Sequence, residues 1–153
     1  MKKFDIIVVG GGHAGIEAAS AGARMGCYVG LVTMDRLALG RMSCNPAIGG
    51  TAKGHLVREI DALGGIMGLI SDRTGIQFRM LNKSKGPAVW SPRCQSDRKL
   101  YSEEAYQIIS PTSNLEIVEE SAVEVITENG KVAGIKAKSG EEIFCKALIL
   151  SSG

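Results

Sequence analysis

Residues Val8-Val9-Gly10-Gly11-Gly12-His13-Ala14-Gly15 set a Gly-x-Gly-x-x-Gly loop directly between a short apolar run and an Ala-rich helical stretch. The preceding run, Phe4 to Val9, is mostly apolar and β-branched, as a strand buried on both faces of a parallel sheet is. In that setting each glycine has a mechanical role. Gly10 permits the tight turn, Gly12 leaves room for a pyrophosphate against the backbone, and Gly15 lets the helix pack closely on the sheet. Ala14, Ala18 and Gly22 extend the stripe of small residues. Free N–H groups at the helix start, with the positive end of its dipole, favour phosphates without any basic side chain. A second strand at Tyr28 to Thr33 completes a βαβ start. A glycine turn in an ordinary βαβ unit is the competing reading.

The acidic residue that binds a ribose ordinarily ends the second strand of such a unit. Here that stretch reads Thr33-Met34-Asp35. Either Asp35 serves, or Thr33 holds the position with a neutral hydroxyl and no carboxylate is offered. The phosphate loop is unaffected in both cases.

At 153 residues and 44% hydrophobic content the chain suits one domain. It closes on Ala147-Leu148-Ile149-Leu150-Ser151-Ser152-Gly153, an apolar strand running into glycine, and reads as cut off within a domain. The apolar run behind Met1-Lys2-Lys3 is too short for a signal-peptide core, and no stretch approaches a membrane span, so the expected compartment is the cytoplasm. Cys27, Cys44, Cys94 and Cys145 lack metal-ligand spacing, and cytosolic thiols stay reduced, so neither a metal nor a structural disulfide is expected. Charge is segregated. Residues 53–99 carry nine Lys or Arg against four Asp or Glu, and residues 100–153 four against nine. By itself that pattern fits two solvated faces better than an anion-binding surface.

A Gly-, Pro-, Asn- and Ser-rich loop from Met34 to Thr51 is longer than an ordinary connection. Leu56, Val57, Ile60 and Leu63 then predict a core-facing helix over 53–63, ended by Gly64-Gly65. A strand at Ile76 to Leu81, a polar and basic loop from Asn82 to Arg93, and a helix carrying Leu100, Tyr101, Ala105, Ile108 and Ile109 follow. Pro111 stops that helix. Leu115 to Val118 reads as a strand returning to the parallel sheet. Ala122–Thr127, Val132–Ala137 and Glu142–Cys145 alternate around Asn129-Gly130 and Ser139-Gly140, both strong hairpin signals. The layout predicted is α/β: a Rossmann-like FAD-binding domain of the glutathione reductase type, with a parallel sheet, a helical excursion over about 52–110 and a β-meander over about 122–145. Residues 1–153 form its incomplete N-terminal part.

Six blocks carry a closer resemblance: Gly10-Gly-Gly-His-Ala-Gly15, Met42-Ser-Cys-Asn-Pro-Ala-Ile-Gly-Gly50, Lys53-Gly-His-Leu-Val57, Glu59-Ile-Asp-Ala-Leu-Gly-Gly65, Gly75-Ile-Gln-Phe-Arg79 and Lys85-Gly-Pro-Ala-Val89. Together they resemble the FAD-dependent tRNA uridine 5-carboxymethylaminomethyl modification enzymes, the glucose-inhibited division protein A family, from Phe4 to Gly153. Members of that family are several times longer, so the chain resembles an N-terminal fragment. The resemblance implies an enzyme that modifies the wobble uridine of certain tRNAs at C5. Its co-substrates would be methylenetetrahydrofolate and NADH, and its partners a GTPase and a second copy of itself. The fragment alone is expected to be inactive and to retain FAD weakly at best.

By the same resemblance, Gly10, Gly11, Gly12, His13, Ala14 and Gly15 bind the FAD pyrophosphate, and the Val123 backbone contacts the adenine. A main-chain amide and carbonyl can read an adenine edge, whereas the Val123 side chain fits plain strand core equally well. Cys44 matches a family cysteine proposed to act in catalysis. Asn45 before Pro46 is pushed extended, and Gly49 and Gly50 keep the loop open, so a thiol there can stay exposed. Attack of a thiolate at uracil C6 would make C5 nucleophilic toward a one-carbon electrophile. A small buried thiol is the structural alternative. Cys27 and Cys145 read as core, and Cys94 is open. His13 suits hydrogen bonding in the loop rather than proton transfer, and His55 packs or caps at its helix start. Lys53, Arg58, Arg79, Lys83, Lys85, Arg93 and Arg98 make up the basic segment, some of which would meet RNA phosphates. Trp90 fits a base-stacking role or an ordinary rim position.

Two rivals share parts of this pattern. The folate- and FAD-dependent tRNA uracil methyltransferases use a similar flavin domain, but Ser43-Cys44-Asn45-Pro46 and Lys85-Gly86-Pro87-Ala88 favour the first family. A small-molecule flavin oxidoreductase of the disulfide reductase kind needs a C-x-x-x-x-C pair, and the residue five after Cys44 is Gly49.

Overall fold

The computed structural model describes residues 2–152. In chain order the elements are β1 (Lys2–Val9), α1 (His13–Arg24), β2 (Val29–Thr33), β3 (Ala47–Gly49), α2 (Lys53–Ala62), α3 (Met67–Thr74), β4 (Gly75–Leu81), β5 (Ser91–Ser96), α4 (Arg98–Ile109), β6 (Leu115–Glu119), β7 (Ala122–Glu128), β8 (Lys131–Ala137) and β9 (Glu142–Leu150). They divide into two compact units, one formed by residues 1–40 with 106–153 and the other by residues 41–105.

The first unit is built on a six-stranded sheet of order β6-β2-β1-β9-β8-β7. β1, β2, β6 and β9 are parallel, with Ile7 opposite both Gly30 and Leu148. All five residues of β2 are buried, which is why that strand carries no polar alternation. Phe4, Ile7, Val32, Val118, Ile135, Ile143 and Cys145 form the core cluster. α1 lies close on the sheet because Gly22 has no side chain; a Cβ there would stand 3.1 Å from Val29 and 3.2 Å from Ile6. β7, β8 and the start of β9 are antiparallel, and both connecting turns use the residues anticipated. Asn129 and Gly130 take φ of +51° and +74°, and Gly140 takes +92°.

One strand corrects the expected layout. The third strand of the meander and the closing parallel strand are a single nine-residue element, β9. Its start pairs with β8 through Glu142, Ile143 and Phe144, while the whole strand runs along β1 from Lys2↔Ile143 to Val9↔Leu150. Lys146, which interrupts the apolar pattern, is exposed and pairs with Asp5 at 2.6 Å, and the ladder with β1 continues on both sides of it.

The second unit contains α2, α3 and a three-stranded antiparallel sheet of order β3-β5-β4. Neither β3 nor β5 was expected, and the polar stretch 82–93 ends inside β5. The helix α3 was missed as well. α2 also departs from the amphipathic reading, because Leu56 and Leu63 are exposed and its one buried residue is Gly54. The helix rests on that glycine; a Cβ there would lie 2.7 Å from the Pro92 carbonyl. In α4, Tyr101, Ala105 and Ile109 are buried at four-residue spacing, while Leu100 lies off that stripe and is exposed.

Candidate functional site

The glycine loop separates the residues needed for folding from those that front open space. Gly10 takes φ +111° and donates its N–H to the Val32 carbonyl at 2.9 Å. A Cβ on Gly10 would lie 2.3 Å from the Ser151 carbonyl oxygen, and one on Gly15 would lie 1.8 Å from the Gly10 carbonyl oxygen. Gly11 is closed in by Leu39 and Thr33, at 2.7 and 2.8 Å from its absent Cβ. Gly12 alone of the four meets nothing within 4 Å. It is the N-cap of α1, and no side chain caps that helix. Open space in front of an uncapped helix start suits an anion, so the loop fits a pyrophosphate by main-chain donors and dipole.

Ala14 is exposed and His13 half-buried. Burial pushes the His13 imidazole below its ordinary pKa, so it is mostly neutral at pH 7 and adds no full charge to the cradle. The end of β9 braces the loop. Ser151 donates from its N–H to the Val9 carbonyl at 2.8 Å, and its Oγ donates to the carbonyls of Val9 at 3.0 Å and Gly10 at 3.4 Å.

Asp35 and Thr33, the two candidates at the end of the second strand, stand in different settings. The Asp35 carboxylate accepts from the Leu37 N–H at 2.8 Å and caps a short turn over Arg36–Ala38. Thr33, at the end of β2, is the residue whose hydroxyl stands against Gly11. Val123 lies in β7 where the register slips between Ala122↔Ala137 and Glu124↔Lys136. The residue is 60% exposed, so it is not strand core, and the bulge takes its main chain out of the regular ladder.

Cys44 belongs to the second unit, whereas the glycine loop and Val123 belong to the first. Its thiol is exposed, in the loop that leads into β3. The buried alternative is therefore not the one adopted. The loop is tied by Ser43 Oγ donating to the Asn45 carbonyl at 3.3 Å and by Arg93 Nη2 donating to Asn45 Oδ1 at 3.4 Å. Cys94 is buried, its thiol donating to the Ser71 carbonyl at 3.4 Å, beside a cavity of about 470 Å³ between α2, α3 and the small sheet. Cys145 is buried too, and burial pushes its thiol pKa up; Cys27 is half-buried. His55 is exposed, and among the described residues no side-chain hydrogen bond caps the start of α2. The Trp90 indole N–H donates to the Lys83 carbonyl at 3.2 Å, with 42% of the residue exposed.

A strand–glycine loop–helix–strand start on a mainly parallel sheet, with its cradle open at Gly12, defines a Rossmann-like α/β protein of the dinucleotide-binding type. The family model described as "Glucose inhibited division protein A" matches residues 5–153. The tRNA uridine 5-carboxymethylaminomethyl modification enzyme MnmG of Flavobacterium johnsoniae is 54% identical over 153 residues, covering the whole of this chain and 25% of its own length. The enzyme of the same name from Thermodesulfovibrio yellowstonii is 57% identical over 152 residues, covering 99% and 24%. Among solved structures, Aquifex aeolicus GidA in its form I crystal superposes with a TM-score of 0.96 at 51% identity, covering 99% of this chain and 25% of that one. The chain belongs to the glucose inhibited division protein A family. It spans about a quarter of the length of the curated relatives it matches.

Proposed function

We propose that this chain is the N-terminal FAD-binding part of an enzyme that modifies the wobble uridine of tRNA at C5, adding a carboxymethylaminomethyl or aminomethyl group. The observation that carries the cofactor reading is the cradle at Gly12, open in front of an uncapped helix and built by Gly10, Gly11 and Gly15. The relatives' printed name supports the substrate. Gly10 to Gly15 hold the pyrophosphate by main-chain N–H groups, with His13 neutral beside them, and the displaced main chain of Val123 reads the adenine edge. When bound, the flavin supplies electron transfer between NADH and the one-carbon unit of methylenetetrahydrofolate.

Cys44 is the nucleophile in this reading. Its thiolate adds to uracil C6, and the electron pair displaced toward C5 attacks the one-carbon electrophile. Loss of the C5 proton and expulsion of the thiolate then restore the ring. A GTPase partner, a homodimeric assembly and a cytoplasmic location complete the proposal. Among the described residues no helix is long and apolar enough to cross a membrane.

The test uses the full-length enzyme containing this segment. Its absorbance spectrum as purified, its titration with NADH, and one-carbon transfer to tRNA are followed for the wild type and for Cys44→Ala. Bound flavin bleached by NADH, with tRNA modification lost only in the variant, is the expected result. Flavin reduction without any tRNA modification in the wild type would refute the substrate reading.

A further inference from the structure

The small sheet of the second unit has two chemically different faces. Ile48, Phe78, Met80, Pro92 and Cys94 share one, and the cross-strand pairs Phe78↔Cys94 and Ile48↔Cys94 keep it apolar. The other carries Arg79 directly opposite Arg93, and Gln77 directly opposite Gln95. In β3 the residues aligned with these two rows are Gly49 and Ala47, which leave the edge of the quartet uncovered.

Two arginines set opposite each other in an antiparallel pair repel, because their Cβ atoms stand only about 5 Å apart. A carboxylate between them is the usual relief. Among the described residues neither Arg79 nor Arg93 forms an ion pair; Arg93 donates instead to two neutral amide oxygens, Asn45 Oδ1 and Gln95 Oε1, each at 3.4 Å. Gln77, Arg79, Leu81, Arg93 and Gln95 line a depression of about 80 Å³. That is room for several waters or for one tetrahedral oxyanion. Guanidinium forks present paired donors matched to phosphate oxygens, and the side-chain amides add neutral donors that do not compete for the charge.

We propose that the Arg79–Arg93 face, with Gln77 and Gln95, is a binding site for a single phosphate group. It lies next to the loop of Cys44, because Arg93 holds Asn45. The site stands on this geometry alone. That the phosphate is a phosphodiester of the tRNA presented to Cys44 rests on the proposed function.

The experiment uses the full-length, flavin-loaded enzyme and the variants Arg79→Gln, Arg93→Gln and the double variant, with Arg79→Lys/Arg93→Lys to retain charge. Inorganic phosphate is titrated by calorimetry, and a synthetic anticodon stem-loop RNA is titrated at several salt concentrations. Phosphate affinity is expected to fall at least tenfold in the double glutamine variant and to recover in part with lysine. RNA affinity should fall as well, with the slope of log K against log salt reduced by about 1 to 2 for the two contacts. Bound flavin should stay unchanged.

Unchanged phosphate affinity in the double glutamine variant overturns the site. Loss of flavin from that variant also overturns it, by assigning the arginines to the cofactor. Phosphate binding that depends on the arginines with unaltered RNA binding keeps the site and assigns it to a small phosphorylated molecule. Failure of the wild type to bind RNA, with phosphate binding intact, refutes the tRNA reading and leaves the site standing.

Discussion

Gly15 sits so close beneath Gly10 that a Cβ on it would fall 1.8 Å from the Gly10 carbonyl oxygen, whereas a Cβ on Gly12 would meet nothing within 4 Å. Two glycines of one motif therefore answer to different demands. Gly15→Ala forces α1 off the sheet and should cost about 2–3 kcal/mol, on the scale of an overpacked core. Gly12 has φ −71°, which any residue adopts, so Gly12→Ala should cost about 1 kcal/mol or less. It nevertheless places a methyl group in the open space that the proposed function gives to the pyrophosphate, and on that proposal flavin affinity should drop at least tenfold. Thermal unfolding and flavin content of the two full-length variants separate the effects. Equal loss of stability in both would refute this division.

That division explains why the loop was legible from sequence. The strand, the glycine spacing and the helix are contiguous, so each is specified by its neighbours. The small sheet was not legible for the opposite reason. β5 reads Ser-Pro-Arg-Cys-Gln-Ser, with low intrinsic strand preference, and its pairing with β3 spans more than forty residues. Its strand character comes from tertiary pairing, which also decides that Arg79 faces Arg93. The sequence offered those two only as members of a basic segment. β9 was divided for a similar reason. Lys146 breaks the apolar run, but its side chain is exposed beside Asp5 and the pairing with β1 carries the strand past it.

Ser151 gives a second stability test. Its hydroxyl donates to the carbonyls of Val9 and Gly10, tying the end of β9 to the start of the glycine loop. Ser151→Ala removes one good hydrogen bond from a partly buried position and should cost about 1 kcal/mol. Because the tie holds the Gly10 carbonyl, flavin release should also quicken. Stopped-flow flavin dissociation and denaturant unfolding of the full-length protein check both effects. A Ser151→Ala protein with unaltered stability and off-rate would show that the Ser151 backbone N–H to Val9 suffices.

The Lys2–Glu116–Tyr28 cluster sets a pH dependence. Lys2 Nζ lies 2.6 Å from Glu116 Oε1, and the Tyr28 hydroxyl donates to Oε2 at 2.8 Å. The Lys2 hydrogen bond leads in holding the Glu116 carboxyl below its ordinary 4.5, and the same bond raises Lys2 above 10.5. A depressed carboxyl stabilises the fold above its unfolded pKa and loses that contribution as pH falls through the folded value. A raised ammonium stabilises below its unfolded pKa and loses that contribution as pH rises through the folded value. The pair should therefore contribute fully between about pH 5 and pH 10 and fade outside. Both partners are part-exposed, so the gain is small, about 0–1 kcal/mol as for surface pairs generally. The stability difference between wild type and Glu116→Gln, measured against pH, should be flat across that range and shrink below it. A difference that grows on acidification would contradict the assignment.

Thiol chemistry provides the sharpest test of the Cys44 role, because the four cysteines differ in access. Cys44 is exposed, Cys27 half-buried, and Cys94 and Cys145 buried. Reaction with an alkylating agent requires both the thiolate and an open approach. Native-state labelling followed by mass spectrometry of peptides should therefore modify Cys44 first and Cys27 more slowly. Cys94 and Cys145 should react only once denaturant opens the fold, and burial further suppresses the Cys145 thiolate. If Cys44 is the nucleophile, its alkylation should abolish tRNA modification in proportion to labelling while bound flavin stays intact. Cys44→Ser should keep the loop's fold and flavin while losing turnover, since a hydroxyl at that position is far less nucleophilic than a thiolate. Full activity in a Cys44-alkylated or Cys44→Ser enzyme would place the covalent step elsewhere, with Cys44 merely an exposed residue of the loop that Arg93 braces.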